Sequence, residues 1–470
     1  MGSSSAATDT IAAISTPPGR GGIGIVRLSG PLAAAIAAQL VSPRQPLEHA
    51  RARLADVLDG SIRAEEPETP RTHAGRIDEA LVTFFGAPNS YTAEDMVEIA
   101  AHGSPVVLEF LLRRGLELGA RLAEPGEFTE RAFLAGRIDL TQAEAVRDLI
   151  EAQTLTQARQ AASQMGGALS GRVAPVKQSL LELIALLEAG IDFAEDDVEV
   201  AQQAAIAARI DELKPPLVAL EASFSRGRLV HDGLSLALVG RPNVGKSSLF
   251  NRLVERDRAI VTAAPGTTRD TITERISLGG IPLELVDTAG LREGSRESLE
   301  EAEQMGMRRS REALADADLV LVVLDATQPL SDEERNLLAA VDGRPALAVL
   351  NKCDLVKTPP KDETAAGIPT LATSALTGEG IAALRERILS LATGGAAAEP
   401  GLLTNLRQHQ AITAALDALA DAAKANAGGI PHEMILLDLY RALWALDSVT
   451  GQTTPDDVLN LIFSRFCIGK

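Results

Sequence analysis

Residues 240–247 read Gly240-Arg-Pro-Asn-Val-Gly-Lys-Ser247 and match the pattern G-x-x-x-x-G-K-[ST]. In this pattern small residues let successive backbone N–H groups curl around phosphate oxygens, and the lysine, here Lys246, reaches the β- and γ-phosphates. The hydroxyl of Ser247 would take one coordination position on Mg²⁺. Residues 234–239 read as a buried strand and residues 247–254 as a helix, whose N-terminus favours an anion. The stretch therefore predicts a nucleotide-binding α/β domain.

Two motifs after this loop predict contacts with Mg²⁺ and the γ-phosphate. Gly266-Thr-Thr-Arg-Asp270 offers a threonine pair that would close over both groups. Residues 283–290 read as a strand that runs into Asp-x-x-Gly. Asp287 would hold Mg²⁺ through its water, and the N–H of Gly290 would sense the γ-phosphate. This is the order of motifs that a nucleotide-hydrolysing domain needs.

Two later motifs predict that the base is guanine. Residues 346–354 read as a strand that ends in Asn351-Lys-Cys-Asp354. The Asp354 carboxylate can accept two N–H bonds from the guanine edge, a pair that adenine does not offer. Thr373-Ser-Ala-Leu376 follows another short strand and would touch guanine O6 through backbone N–H groups. Because all five motifs follow predicted strands, where open α/β sheets bind ligands, we predict a Ras-like, doubly wound GTPase domain.

The motifs together define a set of expected contacts with GTP. Ser247 and Thr268 are the expected direct ligands of Mg²⁺. The expected nucleotide contacts are Asn243, Val244, Gly245, Lys246, Ser247, Ser248, Thr262, Ala263, Ala264, Pro265, Gly266, Thr267, Thr268, Asp287, Thr288, Ala289, Gly290, Asn351, Lys352, Asp354, Ser374 and Ala375.

The residue after Asp-x-x-Gly is Leu291, which cannot orient an attacking water as a glutamine does at this place in many small GTPases. Charge stabilisation must then come from another group, and an arginine finger in that role is worth ~10³–10⁵ in rate. One substitute is a K⁺ ion beside the phosphates, coordinated by Asn243, Thr262, Ala264 and Thr267. The alternative for Asn243 is a side chain that stabilises the loop.

Composition restricts the remaining possibilities. The chain has 470 residues, a length typical of about three domains. It contains two cysteines and no run of about 18 apolar residues, and residues 1–9 lack a basic and apolar leader, so we expect a cytoplasmic protein without a membrane span. The net charge of −19 argues against a continuous basic surface for general nucleic-acid or DNA binding, but a local basic patch stays open.

Helical patterns flank the predicted GTPase domain on both sides. Apolar residues recur at helical spacing from residue 139 to about 188 and again over 200–228, and further helices are predicted near 405–425, 431–448 and 455–465. Residues 1–135 instead read as short strands over 10–15, 22–28, 80–85 and 96–100, with Pro/Gly-rich turns and a helix over 105–118, an α+β domain. We expect boundaries at 1–135, 136–231, 232–394 and 395–470. The pattern leaves open whether the two helical parts form one domain with the GTPase inserted or two bundles.

Three further motifs resemble those of the tRNA-modification GTPase MnmE (TrmE) family over the whole chain. They are Thr16-Pro-Pro-Gly-Arg-Gly-Gly-Ile-Gly-Ile-Val-Arg-Leu-Ser-Gly30, Pro125-Gly-Glu-Phe-Thr-Glu-Arg-Ala-Phe-Leu-Ala-Gly-Arg-Ile-Asp-Leu140 and Phe466-Cys-Ile-Gly-Lys470. The resemblance implies an N-terminal folate-binding domain, a discontinuous helical domain and an inserted GTPase.

The resemblance also implies a reaction and its partners. The family works with the FAD-dependent protein MnmG to add an aminomethyl-type group, often carboxymethylaminomethyl, to carbon 5 of the wobble uridine in certain tRNAs. A tetrahydrofolate, 5-formyl or methylene, supplies the one-carbon unit. GTP hydrolysis in the family depends on K⁺, and the GTPase domains meet across a homodimer.

Several residue roles follow from the resemblance alone. Arg27, Glu98, Arg137 and Lys470 would line the folate site, although the family often has lysine where Arg137 stands. A carboxylate such as Glu98 suits the pteridine ring, which offers paired N–H groups. Without the resemblance, Arg27 reads as a surface strand residue and Glu98 as a strand-end charge.

Two catalytic assignments also come from the family. Cys467 would take part in the modification chemistry, and its alternative is a small buried apolar residue. Glu303 would position the attacking water because Gly306 follows it at the expected offset, with Glu300 and Glu301 as rivals.

A second reading of the GTPase motifs is a ribosome-assembly switch of the Era or EngA type. Such proteins share the phosphate loop and Asn-Lys-x-Asp, but they carry an RNA-binding KH-type domain, usually after the GTPase. The chain lacks a Gly-x-x-Gly loop in that setting. A scaffold that uses GTP only to dimerise is disfavoured by the intact hydrolysis motifs.

Overall fold

The computed structural model describes residues 9–59, 75–192, 202–254, 272–287, 317–341, 343–356, 367–393, 401–452 and 469. The chain divides into two compact units. One contains residues 1–147 and 447–470, and the other contains residues 148–446.

The first unit is built on a mixed seven-stranded sheet. Its strands are β1 (Ile11–Ile14), β2 (Gly21–Ser29), β3 (Val41–Pro43), β4 (Ala52–Leu58), β5 (Arg76–Phe85), β6 (Met96–Gly103) and β7 (Arg121–Leu122), in the order β3-β4-β5-β6-β2-β1-β7. All neighbours are antiparallel except β1 and β7. The helices are α1 (Ala33–Leu40), α2 (Pro105–Glu117), α3 (Glu127–Leu134) and α4 (Leu140–Glu151), whose residues 148–151 belong to the second unit. The predicted α+β domain is confirmed.

Apolar alternation explains how this sheet is covered. In β2, Val26 and Leu28 are fully buried, whereas Arg27 between them lies on the other face, as expected for a period of two. The buried face packs against α1 and α2 through side chains such as Ile36 and Leu111. The same alternation in β6 places Glu98 on the face of Arg27, its partner in the register.

Helices from both ends of the second unit pack together. They are α5 (Leu155–Met165), α6 (Ala168–Asp192), α7 (Gln203–Ala222) and α8 (Phe224–Asp232) before the GTPase motifs, and α12 (Leu406–Ala427) and α13 (His432–Thr450) after them. Thr413 on α12 donates to Glu221 on α7 (2.9 Å), and Asn426 donates to the Gln203 carbonyl (3.0 Å). The helical domain is therefore discontinuous, with the GTPase inserted.

The helical pattern over 139–188 is divided more finely than the sequence predicts. Thr154 and Gln157 form a reciprocal capping box that starts α5, and Gly166-Gly167 separates α5 from α6. The pattern over 200–228 is likewise split between α7 and α8 at Ser223. The predicted helix near 455–465 lies outside the described residues.

The inserted domain contains a six-stranded sheet. Its strands are β8 (Leu234–Val239), β9 (Ile272–Leu278), β10 (Ile281–Asp287), β11 (Leu319–Asp325), β12 (Ala346–Asn351) and β13 (Thr370–Ala372), in the order β13-β12-β11-β8-β10-β9. Its helices are α9 (Lys246–Val254), α10 (Asp332–Ala340) and α11 (Ile381–Thr393). All neighbouring strands are parallel except β9 and β10. Every residue of β11 is buried, as in a strand covered on both faces.

Within the described ranges, no helix combines the length and apolarity needed to cross a membrane.

Candidate functional site

The loop between β8 and α9 has the backbone shape that phosphate binding requires. Gly240 has φ +150°, and a Cβ there would lie 2.3 Å from the carbonyl oxygen of Val323. Gly245 has φ +97°, and a Cβ there would lie 2.2 Å from Nδ2 of Asn351. Both positions therefore require glycine, for backbone conformation as well as for space. Asn243 is exposed and left-handed at φ 68°, a conformation that asparagine tolerates better than most residues.

Lys246 stabilises the loop from inside. Its Nζ donates to the carbonyl oxygens of Gly240 (2.6 Å) and Arg241 (2.8 Å), and the residue is only 7% exposed. Lys246 is also the first residue of α9, so the helix N-terminus opens directly onto the loop. Ser247 and Ser248 follow on the exposed side of the first turn. The loop and its cation are thus organised for an anion, and the Ser247 hydroxyl suits the oxygen ligands that Mg²⁺ prefers.

Asn351 connects the phosphate loop to the predicted guanine loop. Its Nδ2 donates to the Val244 carbonyl (2.9 Å), and its Oδ1 accepts from the Ala375 N–H (3.0 Å). The side chain is 2% exposed, so both hydrogen bonds are shielded from water. Asn351 thereby sets the spacing between the two halves of the predicted nucleotide site.

The two N–H groups expected near guanine O6 already donate within the protein. The Ala375 N–H donates to Asn351, and the Ser374 N–H donates to the Glu379 carbonyl (2.9 Å). A contact with O6 would share one of these donors between two acceptors. Asp354, by contrast, is exposed at the end of β12, where a carboxylate can meet a base.

Arg241 is a residue of the loop that sequence reasoning left without a role. Its Nε lies 3.1 Å from Oε1 of Glu334, without the alignment of a hydrogen bond. Glu334 is 2% exposed and caps α10 by accepting from the Ser331 N–H (2.8 Å). Arg241 therefore holds the phosphate loop beside α10, a contact between distant segments that no local motif announces.

A large part of the expected site lies outside the described residues. This applies to Thr262, Ala263, Ala264, Pro265, Gly266, Thr267, Thr268, Thr288, Ala289, Gly290, Leu291, Glu300, Glu301, Glu303, Cys467 and Lys470. Asp287 is described in its backbone, which pairs with Leu238 of β8 directly before the phosphate loop. That position suits the role in Mg²⁺ binding expected of Asp287.

In the first unit, the structure brings Arg27 and Glu98 together. Nε and Nη2 of Arg27 both donate to Oε1 of Glu98, at 2.9 and 2.6 Å. The side chains are 16% and 24% exposed, so the pair is reachable from the surface although largely covered. Arg137 is exposed after α3, and no contact among the described residues joins its side chain to this pair.

The C-terminal end of the chain reaches the same place. The Gly469 carbonyl accepts from Nη1 of Arg27 (3.3 Å) and from Oγ of Ser15 (3.0 Å). Gly469 is left-handed at φ +92°, and a Cβ there would lie 2.7 Å from the Ile14 carbonyl oxygen. Gly469 therefore fits closely against β1, beside Arg27 and Glu98, two of the four expected folate residues.

Two aromatic residues that sequence reasoning missed complete this surrounding. The Arg27 guanidinium carbon lies 5.5 Å from the centroid of the Phe128 ring and 5.9 Å from that of Tyr91. Tyr91 shares a hydrogen bond with Thr129 (2.9 Å), and burial raises the pKa of its hydroxyl. Phe128 belongs to the motif over 125–140, so membership of that motif was the sequence signal that could have identified it. Phe128 is fully buried and packs behind Arg27, whereas Tyr91 is partly exposed and could offer a ring face to a planar ligand.

An ion-pair network holds α3, and with it Phe128, in place. Arg131 is 6% exposed and contacts Asp9 (2.8 Å), Glu127 (2.8 Å) and Glu94 (3.2 Å). Arg121 also pairs with Glu127 (2.6 Å). Buried charges with several partners are costly to break singly, so this network fixes the helix rigidly.

The second unit contains a cavity of about 560 Å³ between the helices and the amino ends of the inserted sheet. His231 lies in its wall, with Nε2 3.1 Å from Asp148 and Nδ1 2.7 Å from Asp232. The hydrogen bond to Asp148 and the charges of both aspartates outweigh burial and raise the pKa of His231 to about 9. At neutral pH the imidazolium therefore links the end of α4 to the end of α8, where the chain enters the GTPase domain.

This ion pair predicts a pH-dependent stability. The folded pKa of about 9 lies above the ordinary 6.5, so the contribution is complete below about pH 6.5 and is lost as pH rises through 9. Partial exposure limits the effect to roughly 2–3 kcal/mol at most. Urea unfolding of wild type and His231→Gln should differ at pH 6 and converge at pH 10. His102→Gln, which alters an exposed histidine, is the control, and a difference that persists at pH 10 would contradict the assignment.

The inserted sheet, the phosphate loop and Asn-Lys-x-Asp after β12 define a P-loop GTPase. A protein-family model described as the MnmE helical domain matches residues 140–467 of this sequence. A second family model, described as the GTP-binding protein TrmE N-terminus, matches residues 10–137. The chain belongs to the tRNA-modification GTPase MnmE family, and it is a GTP hydrolase that acts in tRNA modification.

Similar proteins support this over nearly the full length. The tRNA modification GTPase MnmE of Koribacter versatilis is 56% identical over 98% of this chain and 99% of its own. That of Chloroflexus aurantiacus is 43% identical over 98% of this chain and all of its own (100%). Among solved structures, the G domain of the T. maritima FeoB iron transporter is 30% identical, covers 34% of this chain and 98% of its own, and has a TM-score of 0.26. That score supports no conclusion about this chain.

Proposed function

We propose that this chain is a K⁺-dependent GTPase that adds a (carboxymethyl)aminomethyl group to carbon 5 of the tRNA wobble uridine. It would do so with an FAD-dependent MnmG-type partner and a one-carbon unit from 5-formyl- or methylene-tetrahydrofolate. Membership of the MnmE family supports the tRNA reaction. The observation that carries the finer proposal is that Arg27 contacts both Glu98 and the Gly469 carbonyl, next to Phe128.

The proposed folate site has the chemistry that a pterin and its acidic tail need. Both hydrogen bonds from Arg27 to Glu98 go to Oε1, and a carboxylate has further lone pairs for the paired N–H groups of a pteridine. Arg27 would orient Glu98 through these two hydrogen bonds. Arg137 and Lys470 would bind the carboxylates of the glutamate tail. Cys467, three residues before Lys470, would lie close to the one-carbon unit.

The proposed nucleotide site divides the work among the residues already described. Lys246 and the loop amides would bind the phosphates, Asp354 would select guanine, and Ser247 with Thr268 would hold Mg²⁺. When bound, Mg²⁺ and K⁺ supply positive charge where negative charge develops on the phosphates. We propose Asn243, which is exposed and left-handed, as a K⁺ ligand together with Thr262, Ala264 and Thr267. Glu303 would orient the attacking water.

The remaining parts of the proposal concern assembly. We propose a homodimer, a complex with the MnmG-type protein, and tRNA as the macromolecular substrate in the cytoplasm. The domain boundaries at residues 135, 231 and 394 stay part of this proposal. A ribosome-assembly switch of the Era or EngA type has no specific support, because the family match extends through both the N-terminal and helical parts.

Replacing Arg27 by alanine is expected to weaken binding of 5-formyl-tetrahydrofolate by roughly 10–10²-fold, because a charged hydrogen-bond partner is worth about 1.5–3 kcal/mol. Calorimetric titration of the intact protein measures this. Arg44→Ala is the matched control, since Arg44 also pairs with a glutamate, Glu79, on the same sheet (2.6 Å). Saturable binding of equal strength in wild type and Arg27→Ala would reject the site, and no binding to wild type would reject the folate proposal.

A further inference from the structure

Asp325 ends β11 directly beside the guanine motif. In the parallel register it lies opposite Asn351, the last residue of β12. The following N–H, that of Ala326, donates to the Asn351 carbonyl (2.9 Å). The chain leaving β11 is thus joined to the first residue of Asn351-Lys-Cys-Asp354. Asp325 belongs to none of the five nucleotide motifs.

Both oxygens of the Asp325 carboxylate accept hydrogen bonds. Oδ2 accepts from Nζ of Lys352 at 2.6 Å, whereas Oδ1 accepts from the Thr327 hydroxyl (2.6 Å) and N–H (2.9 Å). Burial alone would raise the pKa of Asp325, but these hydrogen bonds hold it below its ordinary value. At 8% exposure, the charge is shielded from water and fixed in direction. Asp325 is therefore a rigid anchor for the Lys352 side chain.

Lys352 adopts a backbone conformation that an ordinary side chain avoids. Its φ of 66° is left-handed, which costs free energy for any residue with a Cβ. The turn sends Cys353 inward, where it is 6% exposed and its N–H donates to the Thr373 carbonyl (3.1 Å). Asp354 then follows on the exposed side. The left-handed Lys352 thus lies two residues before the exposed Asp354.

We propose that Asp325 is a positioning residue for guanine recognition, which holds Lys352 in its left-handed turn and so aims the Asp354 carboxylate at the base. The inference rests on the proposed role of Asp354. Asp325 would not itself touch the nucleotide. Its effect is on the alignment of a carboxylate two residues beyond its partner.

A comparison of GDP with IDP isolates this effect. Inosine lacks the 2-amino group of guanine, so IDP loses one of the two N–H bonds that Asp354 accepts, whereas its phosphates are identical. Wild type should prefer GDP over IDP by roughly 10–10²-fold. Calorimetric titration of the full chain with each diphosphate and Mg²⁺ gives the ratio, and thermal melting checks folding.

Four variants separate positioning from simple stability. Asp325→Asn should lower the GDP-to-IDP preference by roughly fivefold or more. Lys352→Met removes the other partner of the ion pair and should lower the GDP-to-IDP preference similarly. The Lys352 side chain is 33% exposed, so we expect the variant to fold. Thr327→Val removes a donor but leaves the ion pair, so its ratio should stay within about twofold of wild type. Asp354→Ala should bring the ratio close to one.

Each outcome has one meaning. If folded Asp325→Asn and Lys352→Met keep the wild-type ratio while Asp354→Ala loses it, the positioning role is overturned and the guanine assignment stands. If Asp354→Ala keeps the ratio, the proposed guanine contact itself fails. An equal loss in Thr327→Val would assign the effect to the turn after β11 and overturn the role of the ion pair.

Discussion

GTP turnover is expected to rise at least ~10²-fold when Na⁺ is replaced by K⁺ at constant ionic strength. The reason is that Leu291 offers no polar group to the reaction, so another positive charge must stabilise the transition state. An arginine in that role raises the hydrolysis rate by ~10³–10⁵-fold. Asn243 is exposed in the phosphate loop, where its amide oxygen can face a cation beside the phosphates. Phosphate release measured at saturating GTP and Mg²⁺ gives the comparison.

Variants of Asn243 test whether this residue carries the K⁺ effect. Because φ is 68°, alanine would add backbone strain, so Asn243→Gly is the better deletion. It should remove most of the difference between K⁺ and Na⁺ and leave GDP affinity nearly unchanged. Asn243→Asp keeps an oxygen ligand in the same conformation and should keep the K⁺ effect. Equal wild-type rates in K⁺ and Na⁺ would remove the cation from the proposal.

Replacing Glu303 by alanine is expected to reduce hydrolysis by ~10²–10⁴-fold while GTP affinity changes only a few-fold. A carboxylate that orients a water and accepts its proton contributes about this much. In the proposed role Glu303 would act on the water and not on the ground-state nucleotide, so the loss should be in kcat. Single-turnover hydrolysis measures the rate, and titration with a non-hydrolysable GTP analogue measures the affinity.

The two neighbouring glutamates supply matched controls for Glu303. Glu300→Ala and Glu301→Ala remove the same charge within three residues and should leave turnover close to wild type. If one of them abolishes hydrolysis and Glu303→Ala does not, the water-positioning role passes to that residue. If none of the three matters, the water is oriented by a group outside this segment.

The sequence alone predicted the GTPase core because its signals are local. Gly240 and Gly245 are glycines for reasons of backbone conformation within one loop, and Lys246 and Ser247 follow at fixed spacing on the next helix. The parallel strands were equally readable, since β11 and β12 are buried on both faces and read as continuous apolar runs. The α+β character of residues 1–135 was readable too, but β3, β4 and β7 were not predicted. The first and last of these are only three and two residues long.

Only the tertiary structure decided which distant residues act together. The packing of α7 on α12 showed that the GTPase is inserted into one helical domain. Helical periodicity did not distinguish this arrangement from two separate bundles. Arg27 acquired partners 71 and 442 positions away, Glu98 and Gly469, and Lys352 acquired Asp325. Such contacts depend on strand order and register, which come from burial over the whole sheet and leave no fixed spacing in the chain. The residues of the phosphate loop could therefore be predicted from the sequence, whereas the distant residues that position the functional side chains could not.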